Sequence, residues 1–290
     1  MKFKPISALL LFAIASPVFA DSSESVEFSA QSTNDSHIEA KVSIPKDQAT
    51  WLWFKITQDG STNGTDLIFQ NDGNAFVQNF YLGFGPGPYT IELYEHTNPD
   101  RAANYHPVTS VHVTNEDTRD LQYLLPSGEV QSDSPEIIAL AHQLIDGISG
   151  DMDKAAAIHD WVAQHVAYDV DSYNAYLKGT PLPSPSALGT LHSKVAFCEG
   201  YADLVAALNR AAGIRTKVVT GTAKISTGTA PHGWNEFQIG DAWVIEDATW
   251  DAGYLDPTGQ KFVANFGRKY FNPDAKTFAQ DHTKVQDSVN

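Results

Sequence analysis

The chain reads as an α+β protein: an N-terminal β-sandwich, Ig-like in type, followed by a domain that mixes helices with strands. Three observations carry this. From Ser25 to about Thr114, apolar residues recur at every second position between frequent turn residues, with no helical stretch. From Ser134 onward the period changes to 3.6 residues, and strand-like runs follow the last helix. The texture shifts across Leu124-Leu-Pro-Ser-Gly-Glu-Val-Gln-Ser-Asp133, which places a boundary near residue 130. The expected organisation is therefore 1–20, 21–130 and 131–290.

Residues 1–20, MKFKPISALLLFAIASPVFA, have lysines at 2 and 4, an apolar run, and Val-Phe-Ala before Asp21. That order is expected of a secretory signal, so the mature chain would be exported, to the periplasm or beyond. The apolar run is shorter than the ~20 residues needed to span a bilayer, and no later stretch reaches that length, so no membrane insertion is expected. Without Lys2 and Lys4 the chain has 17 basic against 35 acidic side chains, a net charge of −18. Such a chain has no electrostatic footprint for nucleic acid and is repelled by anionic lipid.

In the first domain, His37–Ile44 and Tyr89–Tyr94 alternate strictly, and Val108–Val113 alternates in its second half. Trp51–Thr57 and Phe76–Leu82 are richer in aromatics, as inner strands are. Asn34-Asp-Ser, Asp59–Gly64, Asn71-Asp-Gly-Asn and Gly83-Phe-Gly-Pro-Gly-Pro mark turns between them. Roughly seven short strands result, the number of a sandwich. Asp59-Gly-Ser-Thr-Asn-Gly-Thr-Asp66 begins like a calcium loop, but its twelfth position is Gln70 and strands flank it, so it reads as a hairpin turn.

The second domain opens with Ser134-Pro-Glu-Ile, a capped helix start with proline at the first position. A second helix is expected from about Asp153 to Val166. A long connection containing Pro-Leu-Pro-Ser-Pro then runs from Tyr168 to Lys194. The third helix spans Glu199 to Ala212, apolar at Tyr201, Leu204, Val205 and Leu208, and ends at a left-handed Gly213. Strands are expected from there to about Thr249.

Cys198, the single cysteine, stands at the start of that third helix. A lone thiol in an exported chain has no internal partner, so it is either a small buried filler or a reactive group. At a helix start the unpaired N–H groups and the positive end of the dipole favour the thiolate, which is the nucleophile. Those N–H groups can also receive an oxyanion, a contact typically worth ~2.7–4 kcal/mol.

Gly240-Asp241 separates two strand-like runs by two residues, a hairpin signal that pairs residues whose numbers sum to 481. Trp234 then faces Asp247 and His232 faces Thr249. His232 has two carboxylates as same-face diagonal neighbours, Asp247 and Asp251, and spacing leaves the choice between them open. A thiol at a helix start with an imidazole and a carboxylate on adjacent strands is the layout of a Cys-His-Asp acyl-transfer site. No metal is expected, since there is one cysteine and no His-Glu-x-x-His, and His159 and His165 lie off one helical face.

Taken together, Ala155-Ala-Ala-Ile-His-Asp-Trp-Val, Phe197-Cys-Glu-Gly-Tyr-Ala-Asp-Leu, His232-Gly-Trp-Asn-Glu-Phe, Trp243-Val-Ile-Glu-Asp-Ala-Thr-Trp-Asp and the closing Tyr270-Phe-Asn-Pro…Asp281-His282 resemble the transglutaminase-like superfamily. The similarity runs from about 134 to 282, in the manner of exported bacterial members with a preceding β-domain. It implies a papain/transglutaminase-like core with the cysteine helix packed on an antiparallel sheet. It also implies Cys198 as nucleophile, His232 as base and Asp247, in preference to Asp251, as the carboxylate that orients it. Glu199 stands where the animal enzymes have Trp, and no calcium-site pattern of theirs is evident. The expected oxyanion side chain is Tyr168.

The expected function is attack on a peptide or side-chain amide through a Cys198 thioester, without cofactor, on a protein or peptide substrate such as one of the cell envelope. Hydrolysis is expected ahead of cross-linking, because water needs no dedicated site. The other two readings are a transglutaminase with an amine acceptor and a non-catalytic surface-binding protein on a scaffold core.

Overall fold

A computed structural model describes residues 25–45, 49, 51–96, 105–180, 186–225 and 228–287. The signal reading of 1–20 and the Pro-Leu-Pro-Ser-Pro run at 181–185 lie outside the described residues.

The first part holds β1 (Ser25–Phe28), β2 (Ser32–Thr33), β3 (His37–Ser43), β4 (Trp51–Gln58), β5 (Gly64–Gln70), β6 (Phe76–Tyr81), β7 (Gly87–His96) and β8 (His106–Asn115). They form two sheets, β1-β3-β6 and β2-β8-β7-β4-β5. Alternation does what period 2 requires: Ile38, Ala40 and Val42, Leu52, Phe54 and Ile56, and Tyr89, Ile91 and Leu93 are all buried and share one core with Phe80 and Val113. Asp59 to Asn63 is the β4–β5 hairpin turn expected in place of a calcium loop.

The segment after β8 is laid along the second part by hydrogen bonds to its backbone carbonyls. Thr216 donates to the Tyr123 carbonyl, Arg215 to that of Gln122 and Arg210 to that of Leu125. Val130 is already inside the second core.

The second part runs α1 (Pro135–Ile145), α2 (Asp151–His165), β9 (Ala167–Tyr168), α3 (Val170–Tyr176), α4 (Ala187–Ser193), β10 (Val195–Ala196), α5 (Cys198–Ala211), β11 (Thr216–Ile225), β12 (Gly228–Ile239), β13 (Ala242–Glu246), α6 (Ala248–Ala252), β14 (Gly253–Leu255), β15 (Phe262–Ala264), α7 (Ala275–Phe278) and β16 (His282–Asp287). β13-β12-β11-β16 make an antiparallel sheet. Residues Gly200 to Arg210 of α5 are all buried, and three alanines among them let neighbouring elements approach closely. Helices α1, α2 and α4 and strands β11 and β12 enclose it. This α+β arrangement, a central helix on an antiparallel sheet, is consistent with a papain-like core.

Four expectations are corrected. The Tyr168–Lys194 connection is not simply a loop: it holds α3 and α4, and the short parallel pair β9–β10 closes its two ends, all in stretches too short to show a period. Strand structure ends at Glu246, not Thr249, because Asp247 caps α6, its carboxylate accepting from the Trp250 N–H at 3.2 Å. The pairs Trp234–Asp247 and His232–Thr249 therefore do not form, although the register sum holds from Asn235↔Glu246 to Ile239↔Ala242. Ser134 sits at the α1 N-cap in extended conformation but its side chain makes no capping bond.

Candidate active site

Cys198 is the first residue of α5 and is partly exposed. The capping position before it is Phe197, extended and without a capping side chain, so no side chain of its own loop occupies the first-turn N–H groups there. The helix is held at that depth by the Tyr201 hydroxyl, which donates to the Val166 carbonyl at 2.6 Å, just before β9. Strand β9 pairs Tyr168 with Ala196, two residues from the thiol.

His232 lies on β12, buried, and hydrogen-bonded through Nε2 to Asp247 Oδ2 at 2.7 Å. The Cys198 thiol is its other polar neighbour, close enough to act on its proton. With Nε2 taken, Nδ1 is the nitrogen left for the sulfur. Burial alone would strip His232 of its proton, but the Asp247 charge and hydrogen bond and the thiol beside it raise its pKa to about 10. Asp247 is the converse case. Burial opposes its charge, and the charge of His232 with the hydrogen bonds of His232 and His282 overcomes this, holding the carboxyl well below the usual range.

The structure thus brings Cys198, His232, Asp247 and Tyr168 into one neighbourhood. Tyr168 is half-buried and close enough for the thiol's charge to act on it, and burial first, then that charge, push the phenol upward, so it remains an O–H donor. Asp251 is absent from this group. Its carboxylate faces His159 at 3.2 Å and accepts from the Tyr270 N–H at 2.9 Å. Glu199 occupies the first turn of α5, with Gly233 of β12 lying against it.

Two histidines given no role from sequence stand at the centre of polar networks. His282, first residue of β16, places Nε2 3.2 Å from the same Asp247 Oδ2 and Nδ1 2.6 Å from Asp281 Oδ1. His159 of α2 bridges Glu246 at 3.0 Å and Asp251 at 3.2 Å, and Asn209 holds the other Glu246 oxygen at 3.1 Å. Burial disfavours the His159 charge, yet the two carboxylates raise its pKa to about 9. His282 lies in the closing block of the family resemblance, which was the available signal. His159 sits beside the buried Ile158 and three residues before the buried Val162, so its core position was readable but its partners, nearly 90 residues away, were not.

His232, Asp247 and His282 are the one set among the described residues whose ligand atoms converge as a metal site would require, within 4.8 Å. Their separations of 2.7 and 3.2 Å are those of hydrogen bonds, with both imidazoles directed at one carboxylate oxygen.

Residues 138–248 match the family model described as the transglutaminase-like superfamily. The kyphoscoliosis peptidases of mouse and human are 28% and 27% identical over 151 residues, which is 49% of this chain. The chain spans only 22% of the length of those curated relatives. Among solved structures, a candidate cysteine protease from Cytophaga hutchinsonii aligns at 20% identity and TM-score 0.40, covering 87% of this chain and 86% of its own. Red sea bream transglutaminase aligns at 11% identity and TM-score 0.31, covering 80% of this chain and 50% of its own. The segment that holds Cys198, His232 and Asp247 is thus a transglutaminase-like domain.

Proposed function

We propose that this protein is a thiol enzyme that cleaves peptide or side-chain amides through a Cys198 acyl-enzyme, with His232 and Asp247 completing the site. The observation that carries this is the convergence of three side chains from separate segments, with Asp247 Oδ2 2.7 Å from His232 Nε2 and Cys198 close enough to act on the His232 proton. With its pKa raised to about 10 by Asp247 and the thiol beside it, His232 holds a proton at neutral pH that it can give to a leaving amine.

The thiolate sulfur bonds to the amide carbon, and the carbonyl oxygen becomes an oxyanion within reach of the α5 N–H groups and the Tyr168 hydroxyl. Collapse breaks the C–N bond, and the departing amine takes the His232 proton. Water then enters, gives one proton back to His232, and its oxygen displaces sulfur to release the acid. An amine in place of water would yield a cross-link by the same steps. Two considerations favour hydrolysis: water needs no acceptor site, and the curated relatives are named peptidases. The substrate class is a protein or peptide.

The reading extends to the whole chain: an exported protein of two units, 21–130 and 131–290, the first Ig-like. Support for the Ig-like reading comes from Tyr89, whose hydroxyl donates to the Gly85 carbonyl at 2.8 Å, four residues upstream, as in a tyrosine corner. The experiment is incubation with a glutamine-bearing protein and a labelled amine, with Cys198→Ala as control. Amide cleavage or ammonia release without label uptake is expected. Label uptake would replace hydrolysis by transfer, and neither reaction would leave a scaffold.

A further inference from the structure

We propose that His282, backed by Asp281, is a positioning residue of the thiol site: it pins the Asp247 carboxylate so that His232 is held with Nδ1 toward Cys198. This rests on the reading of Cys198 and His232 given above, and it concerns residues beyond the 138–248 family match.

The carboxylate has three donors. Oδ1 accepts from the Trp250 N–H at 3.2 Å, and Oδ2 accepts from His232 at 2.7 Å and faces His282 Nε2 at 3.2 Å. The Asp247 N–H is bonded as well, to the Tyr270 carbonyl at 3.0 Å. Without His282, Oδ2 would be tied to His232 alone, and the two could turn together.

His282 is itself prevented from turning. Its ring stacks on Phe278 at 3.8 Å between centroids and 14° between planes, with Trp250 at 4.4 Å and Trp234 at 5.4 Å around it. Asp281 Oδ1 takes its Nδ1 at 2.6 Å, and Asp281 Oδ2 accepts from the Tyr270 hydroxyl at 3.0 Å, which in turn receives Lys269 Nζ at 2.8 Å. A side chain that only filled this aromatic cage would be apolar, since an imidazole buried unpaired is destabilising. Here both nitrogens of a fully buried ring meet carboxylate oxygens, and the second carboxylate is the one that orients His232.

The fold spends a close approach on delivering it. Strand β16 crosses β11 at Gly221, where a Cβ would lie 2.2 Å from the Thr283 carbonyl oxygen and 2.6 Å from the Trp234 ring. Only glycine lets Thr283, and with it His282, come this near. Gly221 is also the cross-strand partner of His232, so one glycine brings both histidines to the same carboxylate.

The test is the rate of Cys198 alkylation by iodoacetamide at neutral pH in the full chain, compared across wild type, His232→Ala, His282→Asn, His282→Gln and Asp281→Ala, with thermal melts for each. Glutamine carries an amide near the Nε2 position and can still donate to Asp247; asparagine reaches only the Nδ1 side. The expected result is an Asn variant slowed about 10–100-fold, the range seen when a partner behind a functional histidine is removed, with Gln recovering most of the rate. Equal rates in Asn and Gln, whether both at wild type or both slowed, would overturn the proposal. If the Asn variant does not fold, Asp281→Ala decides: slowing supports the role, and a wild-type rate overturns it. A His232→Ala variant alkylated as fast as wild type would instead remove the Cys-His reading on which the proposal rests.

Discussion

The two cores of this molecule are built on different principles. Between the N-terminal sheets the buried set is apolar side chains in alternation, and its polar groups, Ser36, Asn71, Asn115 and Asp117, sit at turns and strand ends, bonded to backbone and to one another. Around α5 the apolar packing is interrupted by buried charge: His159 between Glu246 and Asp251, and Asp247 between His232 and His282. Buried ion pairs are rarely a net source of stability compared with apolar packing. Their concentration in one unit is understandable where orientation of a few side chains matters more than stability.

The largest expected effect is chemical and confined to the second unit. His232→Ala or Asp247→Ala should lower turnover by on the order of 10⁴-fold, the scale seen when a triad member is lost. Phe54→Ala, deep in the first core, should leave the Cys198 alkylation rate unchanged. A catalytic loss from Phe54→Ala would show that the units are not independent.

Next come stability effects of similar size and different cause. Phe54→Ala should destabilise the chain by about 3–5 kcal/mol through a cavity. Glu246→Ala should cost about 3–5 kcal/mol because it leaves Asn209 unbonded there and the buried His159 with Asp251 as its one remaining carboxylate. Urea titration of both variants measures this, and a near-neutral Glu246→Ala would mean that the buried charges contribute less than the contrast requires.

Dependence on pH separates the two causes. His159 and His232 titrate at about 9 and about 10 in the folded chain, against an ordinary value near 6.5. Their contribution is complete below about pH 6.5 and is lost as the pH rises through 9 and 10. Melting temperature should therefore fall between pH 7 and 10, and His159→Gln should flatten part of that fall. An equal fall in both proteins would contradict the assignment of His159 as a cation.

The smallest effect is expected at Asp203. It is 4% exposed, and among the described residues its Oδ2 has no hydrogen-bond partner. Burial first, then the charges of Glu129 and Glu199, raise its carboxyl well above the ordinary value, so it stays protonated when folded and ionises when unfolded. Asp203→Asn removes that penalty and should raise the melting temperature slightly at pH 7, with less gain near pH 4. A lower melting temperature at pH 7 would show that the carboxylate is paired.

These networks also explain which parts were legible from sequence. Alternation identified Leu52, Phe54 and Ile56 as one face because strand period is local. The Gly240-Asp241 turn set the β12–β13 register, which is likewise local, and brought Asp247 within range of His232. The end of β13 was missed because Asp247 acts as a helix cap, a role its side chain performs only once the chain turns there. His159 and His282 were missed for a different reason: the carboxylates that tie them to the site, Glu246 and Asp251 for His159 and Asp247 for His282, lie 35 to 92 residues away, through packing that no local period encodes.

The central claim is that Cys198 is an activated thiol held by His232, not a filler of the α5 stripe. Mass spectrometry of the native chain after brief exposure to iodoacetamide at neutral pH, beside the same chain in urea, tests it most directly. The account predicts that the folded protein is carbamidomethylated at Cys198 faster than the unfolded one. A thiol that resists modification until the fold is lost would contradict it.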